Sequence, residues 1–255
     1  MNKKKFWGIA LGSLAAVSVG TALITNAVNA KKNNFDGWEN FYTFNSQKSD
    51  TQPDKLLHVP LYRQATNYTC GATCVISILR YADYMLDIRE DNASKALGSN
   101  KNIGTTMVSM SDYLNAVRLD DEKRCFESEI RQNMTIEDLV NEIDKGNPVI
   151  CAIQAWSSDI TETGDYDLNA PYKDAWEDGH YAIAIGYNEE NIFFMDPSTG
   201  GCYTYIPKDK LDDRWHDYDG KKLKNGTIYE HAGVVVKMLQ TPEMEANPNA
   251  IYALM

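Results

Sequence analysis

Two kinds of hydrophobic pattern follow one another along this chain. Val75, Ile78 and Leu79 recur at helical spacing after Cys70, whereas residues 181–187 form a short, almost continuous apolar run. Helical spacing predicts an amphipathic helix, and a short apolar run predicts a buried strand. The same patterns place helices at residues 70–82, 91–97, 107–117, 135–145 and 208–215, and strands at 57–61, 124–130, 149–153, 181–187, 192–195, 202–206 and 232–238.

Most of the predicted helices come first, and the predicted strands form a meander at the end. This grouping is typical of an α+β fold rather than of an alternating α/β fold. We therefore expect N-terminal helices packed on a C-terminal antiparallel sheet, in one domain that covers residues 56–240. Residues 157–179 are polar and are predicted to form a long loop that leads directly to His180.

The N-terminus has the layout of a secretory signal peptide. Residues 1–5 are basic, residues 6–28 carry no charge, and small residues at Val28 and Ala30 favour cleavage after Ala30. An uncleaved membrane anchor is the alternative, because about 20 apolar residues can span a bilayer. Both interpretations predict a secreted or cell-surface protein. Residues 31–55 are interpreted as a linker or N-terminal arm and residues 241–255 as a C-terminal tail.

Charge and cysteine content narrow the possible partners and chemistry. The formal net charge is −11, which disfavours binding to nucleic acid. Five cysteines are an odd number, so an exported chain keeps at least one free thiol. Cys74 lies in an apolar run and is interpreted as a buried structural residue, as is Cys151. The pattern leaves a disulfide among Cys125, Cys151 and Cys202 open.

Cys70 is the strongest candidate for chemistry. It lies where a strand-like segment gives way to the first predicted helix, so the positive end of the helix dipole favours its thiolate. A thiolate is the nucleophile of cysteine chemistry and needs a base close by. A buried structural cysteine is the alternative interpretation of this residue taken alone.

His180 and Asp196 are the candidates for the base and for the group that orients it. They lie at the start and the end of two consecutive strands that form a predicted hairpin. A register that pairs residue 182 with residue 196 sets both side chains on one face, within reach of each other. A slip of one residue would set them on opposite faces. The sequence leaves this register open.

Gln64 is the fourth candidate. It lies shortly before Cys70, so its side-chain amide and the backbone N–H of Cys70 are predicted to form an oxyanion hole. The other three histidines have no partner at useful spacing and are interpreted as structural. They are His58, His216 and His231.

These residues match a known family pattern. The pattern consists of Leu57-x-Val59-Pro60-x-x-x-Gln64, Tyr68-Thr69-Cys70-Gly71-Ala72-Thr73-Cys74, Gly179-His180-Tyr181 and Met195-Asp196-Pro197. The chain thereby resembles papain-like cysteine peptidases of the bacteriocin-processing type (peptidase family C39), in the stand-alone C39-like branch. The resemblance implies a papain-like fold. It also implies that Cys70 is the nucleophile, His180 the base, Asp196 the orienting residue and Gln64 the oxyanion donor.

The chain departs from the family in two respects. Ala72 stands where the family often has proline, which affects the start of the helix and not the chemistry. The best-known members are fused to export ATPases and cut double-glycine leaders inside the cell, whereas this N-terminus indicates export. The substrate of those members is therefore not carried over.

The sequence therefore predicts an exported cysteine peptidase that hydrolyses peptide or amide bonds through a thioester intermediate. Two alternatives stay open, namely an acyl or peptidyl transferase with the same triad and a non-catalytic binding module at the cell surface. The expected partner is a peptide or protein substrate, and a membrane is expected only through an uncleaved N-terminal segment. We expect no cofactor and no metal. The sequence does not predict the oligomeric state.

Overall fold

A computed structural model describes residues 50–85, 87–118, 122–156, 159–160, 166–167, 171–199, 202–219 and 226–239. All of them belong to Ser46–Met255, the second of two units into which the chain divides. The predicted signal peptide, residues 31–49 of the predicted arm and the predicted tail lie outside the described residues. In the part of the chain that is described, no helix has the length and apolar character needed to cross a bilayer.

Five α-helices lie close to their predicted positions. A capping box starts the fourth helix, since the Thr135 hydroxyl accepts from the N–H of Asp138 and the Asp138 carboxylate accepts from the N–H of Thr135. The described helices are α1 (Cys70–Tyr81), α2 (Glu90–Ala96), α3 (Met107–Ala116), α4 (Ile136–Asp144) and α5 (Lys208–Arg214).

The main sheet is antiparallel throughout and has seven strands. Its order is β2-β11-β3-β6-β7-β8, and β1 pairs with the last residues of β6, beyond the end of β3. The strands of this sheet are β1 (Lys55–Leu56), β2 (Phe126–Arg131), β3 (Val149–Gln154), β6 (Gly179–Tyr187), β7 (Asn191–Met195), β8 (Tyr203–Pro207) and β11 (Gly233–Met238). Helices and an antiparallel sheet confirm the predicted α+β class.

Two small ribbons were not predicted from the pattern. β4 (Asp159–Ile160) pairs with β5 (Tyr166–Asp167) inside the predicted long loop, and Tyr172–Asp174 forms a 3₁₀ turn after it. β9 (His216–Asp219) pairs with β10 (Thr227–Glu230). Four-residue strands with alternating polar residues resemble loop sequence, so their pairing depends on tertiary context.

A bulge in β6 sets the register of the hairpin that β6 forms with β7. Next to the turn, Tyr187 is opposite Ile192, whereas beyond a register shift at Ile185, Ile183 is opposite Met195. Continued by one residue, the second register sets Asp196 opposite Ala182 and diagonal to His180. Without the extra residue, Asp196 would lie opposite Ile183 and on the other face from His180. The bulge therefore brings the two side chains to one face.

The hydrophobic core lies between the sheet and the helices. Helix α1 is buried from Cys70 to Leu79, and its Cys74 thiol donates to the carbonyl of Tyr181 in β6 (3.4 Å). Fully buried apolar side chains of β3 and β6 form the middle of this core. The burial of α1 fixes its N-terminus, and with it Cys70, against the sheet.

The cysteines form no disulfide. All five lie in described parts of the chain and are free thiols; Cys70, Cys74, Cys125 and Cys151 are buried and Cys202 is exposed. The burial of Cys74 and Cys151 confirms their interpretation as apolar core residues. The disulfide that the sequence left open is absent from the structure.

Candidate active site

Cys70 is the first residue of α1 and lies where this helix approaches the start of α3. The next residue is Gly71, and the side chains of Thr105 and Met110 fill the space that a larger residue would need. A Cβ on Gly71 would lie 2.7 Å from the Cβ of Thr105 and 3.0 Å from the Sδ of Met110. The Cys70 residue is 7% exposed, and it borders a cavity. Its position at a helix N-terminus follows from the sequence pattern, and its access to a cavity follows from tertiary packing.

His180 joins two of the other predicted site residues. Its Nε2 lies 2.8 Å from Oδ1 of Asp196, and Cys70 lies close enough to the ring to raise the pKa of His180. Because Nε2 faces Asp196, Nδ1 is the ring nitrogen that is left for the thiol. The structure therefore brings Cys70, His180 and Asp196 together in that order.

The carboxylate of Asp196 is also held by the turn that follows β7, through the same oxygen that faces His180. The backbone N–H and the hydroxyl of Ser198 donate to Oδ1 at 2.8 and 2.7 Å. The N–H and the hydroxyl of Thr199 donate to the Asp196 carbonyl, which closes this turn. These bonds fix the carboxylate in the orientation that faces the imidazole.

The electrostatics of this cluster favour a charged histidine. Burial by itself lowers the pKa of His180, but the charge and hydrogen bond of Asp196, together with the nearby Cys70, outweigh it and raise the pKa to about 10. Burial by itself raises the pKa of Asp196, but His180 and Ser198 lower it below its ordinary value. At neutral pH the pair is therefore an imidazolium and a carboxylate.

Trp156 covers the histidine. The two ring centroids are 5.9 Å apart at an interplanar angle of 46°. Trp156 follows the end of β3, where Arg214 donates to the carbonyls of Gln154 (3.0 Å) and Ala155 (2.6 Å). The arginine thus braces the segment that carries the tryptophan, and the tryptophan limits rotation of the imidazole.

Gln64 lies next to the same cluster, but its side chain has a local partner. Its backbone N–H donates to the carbonyl of Pro197, the residue after Asp196 (2.9 Å). Its Nε2 donates to the carbonyl of Thr66 (2.6 Å), and its Oε1 is buried without a partner among the described residues. An amide nitrogen carries two N–H groups, so one remains for another acceptor.

The other three histidines lie outside the triad. The Nε2 of His216 is 2.8 Å from the carbonyl of Ala175, and the ring of His231 stacks on Trp215 with centroids 5.3 Å apart. His58 is exposed in the segment after β1. None of these contacts involves Cys70, His180 or Asp196.

A cavity of about 240 Å³ lies beside Cys70. Sequence reasoning missed Asp217 and Asp219, which reach this cavity from β9. The sequence signal was weak, because an alternating His-Asp-Tyr-Asp segment does not show what its acidic residues will face. The described lining residues are Asn67, Tyr68, Cys70, Lys101, Asn102, Ile103, Gly104, Thr105, Trp176, Glu177, Gly179, Tyr181, Asp217, Tyr218 and Asp219.

Comparison with known protein families identifies the class of this protein. Residues 56–223 match the Peptidase_C39 like family, which covers most of the chain that the structure describes. The chain belongs to this family. The resemblance drawn from the four sequence motifs is thereby confirmed at the level of the family.

Several solved structures are similar to this chain. A C39-like peptidase from Bacillus anthracis has 15% identity and a TM-score of 0.47, over 73% of this chain and 98% of that one. A double glycine motif protease from an AMS/PCAT transporter, in complex with a leader peptide, has 13% identity and a TM-score of 0.43, over 74% and 99%. The peptidase domain of Streptococcus ComA, a bifunctional ABC transporter of a quorum-sensing pathway, has 15% identity and a TM-score of 0.43, over 70% and 98%. A comparison with curated protein sequences gave no match.

Proposed function

We propose that this chain is an exported cysteine peptidase that hydrolyses peptide or amide bonds with Cys70, His180 and Asp196. The observation that carries the proposal is the continuous chain of contacts from the Cys70 thiol through His180 to Oδ1 of Asp196. Membership in the C39-like family supports a peptidase reaction. The signal-peptide layout of the N-terminus supports export.

The proposed first half-reaction is acylation of the thiol. The Cys70 thiolate attacks the carbonyl carbon, a C–S bond forms, and the carbonyl oxygen becomes an oxyanion. The His180 imidazolium gives its proton to the leaving nitrogen, the C–N bond breaks, and a thioester remains. Asp196 stabilises the imidazolium and holds the ring, as the third member of such triads does.

The second half-reaction releases the acyl group. Neutral His180 takes a proton from water, and the resulting oxygen nucleophile attacks the thioester carbonyl. The C–S bond breaks, and the product leaves as a carboxylic acid that loses its proton to water. The thiolate then returns beside the imidazolium. Each step uses the atoms already present in the enzyme, the substrate and water.

Gln64 is proposed to supply a hydrogen bond to the oxyanion. One N–H of its amide donates to Thr66, which fixes the amide, and the other N–H is proposed to donate to the oxyanion together with the backbone N–H of Cys70. Losing a donor of this kind reduces the rate by on the order of 10²–10³. Gln64→Ala is therefore expected to reduce hydrolysis while Cys70 keeps its reactivity toward alkylating agents.

Selective alkylation tests the proposal. The full-length chain is treated with iodoacetamide at neutral pH, and peptide mass mapping follows all five cysteines over time. We expect rapid modification of Cys70 that slows by on the order of 10² in His180→Ala. His231→Ala is the matched control, because His231 stacks on Trp215 and lies outside the triad. Slow or indiscriminate alkylation, unchanged in His180→Ala, would refute an activated nucleophile.

The two alternatives are separated by product analysis and by one variant. A transferase passes the acyl group of the thioester to an added amine, so an amide product exceeds the hydrolysis product. A binding module keeps its function in Cys70→Ala. The contacts between Cys70, His180 and Asp196 favour an enzyme over a binding module.

A further inference from the structure

The cavity beside Cys70 contains two carboxylates in different environments. Both carboxylate oxygens of Asp219 have hydrogen-bond partners. Oδ1 accepts from the Tyr181 hydroxyl (2.9 Å), Oδ2 accepts from the N–H of Met107 (3.0 Å), and Tyr229 adds a further hydrogen bond. These bonds tie β9 to β6, α3 and β10. Asp219 is therefore a structural residue of the cavity wall.

Asp217 lacks such partners. It is 8% exposed, and its carboxylate lies directly against Gly179, whose missing side chain leaves the space that the carboxylate fills. Among the described side chains only Gln154 reaches it, with Nε2 at 3.4 Å from Oδ1, and the backbone of Tyr218 adds one hydrogen bond. No described lysine or arginine forms an ion pair with it, and the His180 imidazolium acts on it through its charge without a direct ion pair. A buried carboxylate with so few partners is costly unless a cation completes it.

The rest of the cavity suits a positively charged group. The rings of Tyr68, Trp176 and Tyr218 line it, and the Trp176 and Tyr218 centroids are 6.3 Å apart. Aromatic faces attract cations and also cover the methylene groups of long cationic side chains. Lys101 is exposed at the wall and, within the described chain, forms no ion pair with Asp217.

We propose that this cavity holds a positively charged amino group of the peptide substrate beside Cys70, with Asp217 as its counter-ion. The volume of about 240 Å³ has room for one extended side chain. The shared chemistry is a primary ammonium group, which comes either from a lysine side chain or from a free peptide N-terminus. The inference rests on the proposed peptidase function, since it assigns a substrate class to that site.

The ionisation of Asp217 agrees with this role. Burial is the largest cause that raises its pKa, and the charge of Asp219 raises the pKa too. The backbone of Tyr218, Gln154 and the charge of His180 oppose the increase, and the resulting pKa is about 7. The other titratable groups of the described cavity wall are Cys70, Lys101, Glu177, Tyr68, Tyr181 and Tyr218. A bound ammonium favours the ionised carboxylate, so the preference for a cation is expected to weaken as the pH falls below about 7.

Binding to an inactive variant tests this proposal separately from catalysis. The full-length Cys70→Ala protein is titrated into short fluorescent peptides with acetylated N-termini, in which one lysine occupies each position in turn. The neutral counterparts carry N-acetyl-lysine or norleucine at the same position. A further peptide has norleucine and a free N-terminus. Fluorescence anisotropy gives each Kd.

We expect one lysine position, or the free N-terminus, to lower the Kd about tenfold relative to its neutral counterpart. Asp217→Asn in the Cys70→Ala background should remove this preference. Asp144→Asn is the matched control, because Asp144 contacts Tyr187 at the opposite end of β6 and its replacement removes the same charge. The peptide that shows the preference identifies which source of ammonium the cavity takes.

Two results would overturn the cavity proposal. One is equal binding of charged and neutral peptides, or no binding of any peptide. The other is a lysine preference that survives Asp217→Asn. Either result leaves the alkylation test of Cys70 unaffected. Conversely, an unreactive Cys70 would refute the peptidase while the binding preference could still be measured in Cys70→Ala.

Discussion

The Nε2 of His180 lies 2.8 Å from Oδ1 of Asp196, although sixteen residues separate them in the chain. The bulge at Ile185 makes this contact possible, because it shifts the pairing of β6 with β7 by one residue. Ser198 then holds the carboxylate with two further hydrogen bonds. Three consequences of this arrangement and of its surroundings can be measured, and a fourth prediction concerns a buried acid elsewhere in the fold.

The first prediction concerns the charge of Asp196. Asp196→Asn removes the charge that counteracts burial, so the pKa of His180 should fall from about 10 toward or below its ordinary value. The protein would then lose its imidazolium at neutral pH, and alkylation of Cys70 at that pH should slow by on the order of 10². NMR titration of labelled histidine rings measures the pKa directly.

The control for this experiment is Asp212→Asn. Asp212 lies 4.0 Å from His231 and not at the triad, so its replacement should leave the titration of His180 unchanged. An unchanged pKa of His180 in Asp196→Asn would contradict the assignment of the carboxylate as the main source of the shift.

The second prediction concerns Trp156. Trp156→Ala removes the ring that covers His180, so the imidazole gains freedom to rotate away from Cys70. We expect the alkylation rate of Cys70 at neutral pH to fall about tenfold through lost orientation. Trp156→Phe keeps an aromatic ring and should retain most of the rate. Equal rates in the wild type and in Trp156→Ala would show that packing elsewhere fixes the imidazole.

The third prediction concerns Gly179. A Cβ at this position would collide with both carboxylate oxygens of Asp217. Gly179→Ala should therefore reduce the free energy of unfolding by about 1–3 kcal/mol, as overpacked sites do. Urea denaturation measures this change.

A second variant separates the collision from other effects. In the Asp217→Ala background the obstructing oxygens are gone, so Gly179→Ala should have a smaller effect there than in the wild type. Additive effects of the two substitutions would argue against direct contact between the residues.

The fourth prediction concerns a buried acid far from the site. Glu142 in α4 accepts hydrogen bonds from Arg131 (2.8 Å), Lys145 (2.9 Å) and Asn147 (2.8 Å). Burial by itself raises its pKa, but these partners outweigh burial and hold the pKa below its ordinary value. Glu142→Ala should reduce the free energy of unfolding at neutral pH by about 2 kcal/mol, because the partners lose their acceptor.

The pH dependence of this effect follows from the lowered pKa. The stabilisation by Glu142 is fully present above the pKa of the unfolded chain, near 4.3, and is lost as the pH falls through the lower value of the folded state. The difference between variant and wild type should therefore shrink in strong acid. Glu137→Ala, an exposed position in the first turn of α4, should change stability by only a few tenths of a kcal/mol. A difference that stays constant at low pH would contradict a role for the charged form.

Most regular elements were predicted well from the sequence. The strand predicted at residues 57–61 was wrong, since in this segment the structure has a strand only at Lys55–Leu56 and none at 57–61. Helix α1 was predicted at residues 70–82 and extends over Cys70–Tyr81, and β3 was predicted at 149–153 and extends over Val149–Gln154. Such segments can be predicted because their hydrophobic period is strong and local. Ribbons of two to four residues have no such period, which is why β4, β5, β9 and β10 were missed.

The sequence by itself determined the residue types of the site and their order along the chain. Local pattern is enough to place Cys70 at a helix start. It also places His180 at the start of the first hairpin strand and Asp196 at the end of the second. Only the tertiary structure decided that the hairpin has the register which joins His180 to Asp196, because the deciding bulge adds a residue that leaves no mark on the hydrophobic period. The tertiary structure also set Asp217 into the cavity beside Cys70, since long-range packing of β9 against β6 decides what a polar residue faces.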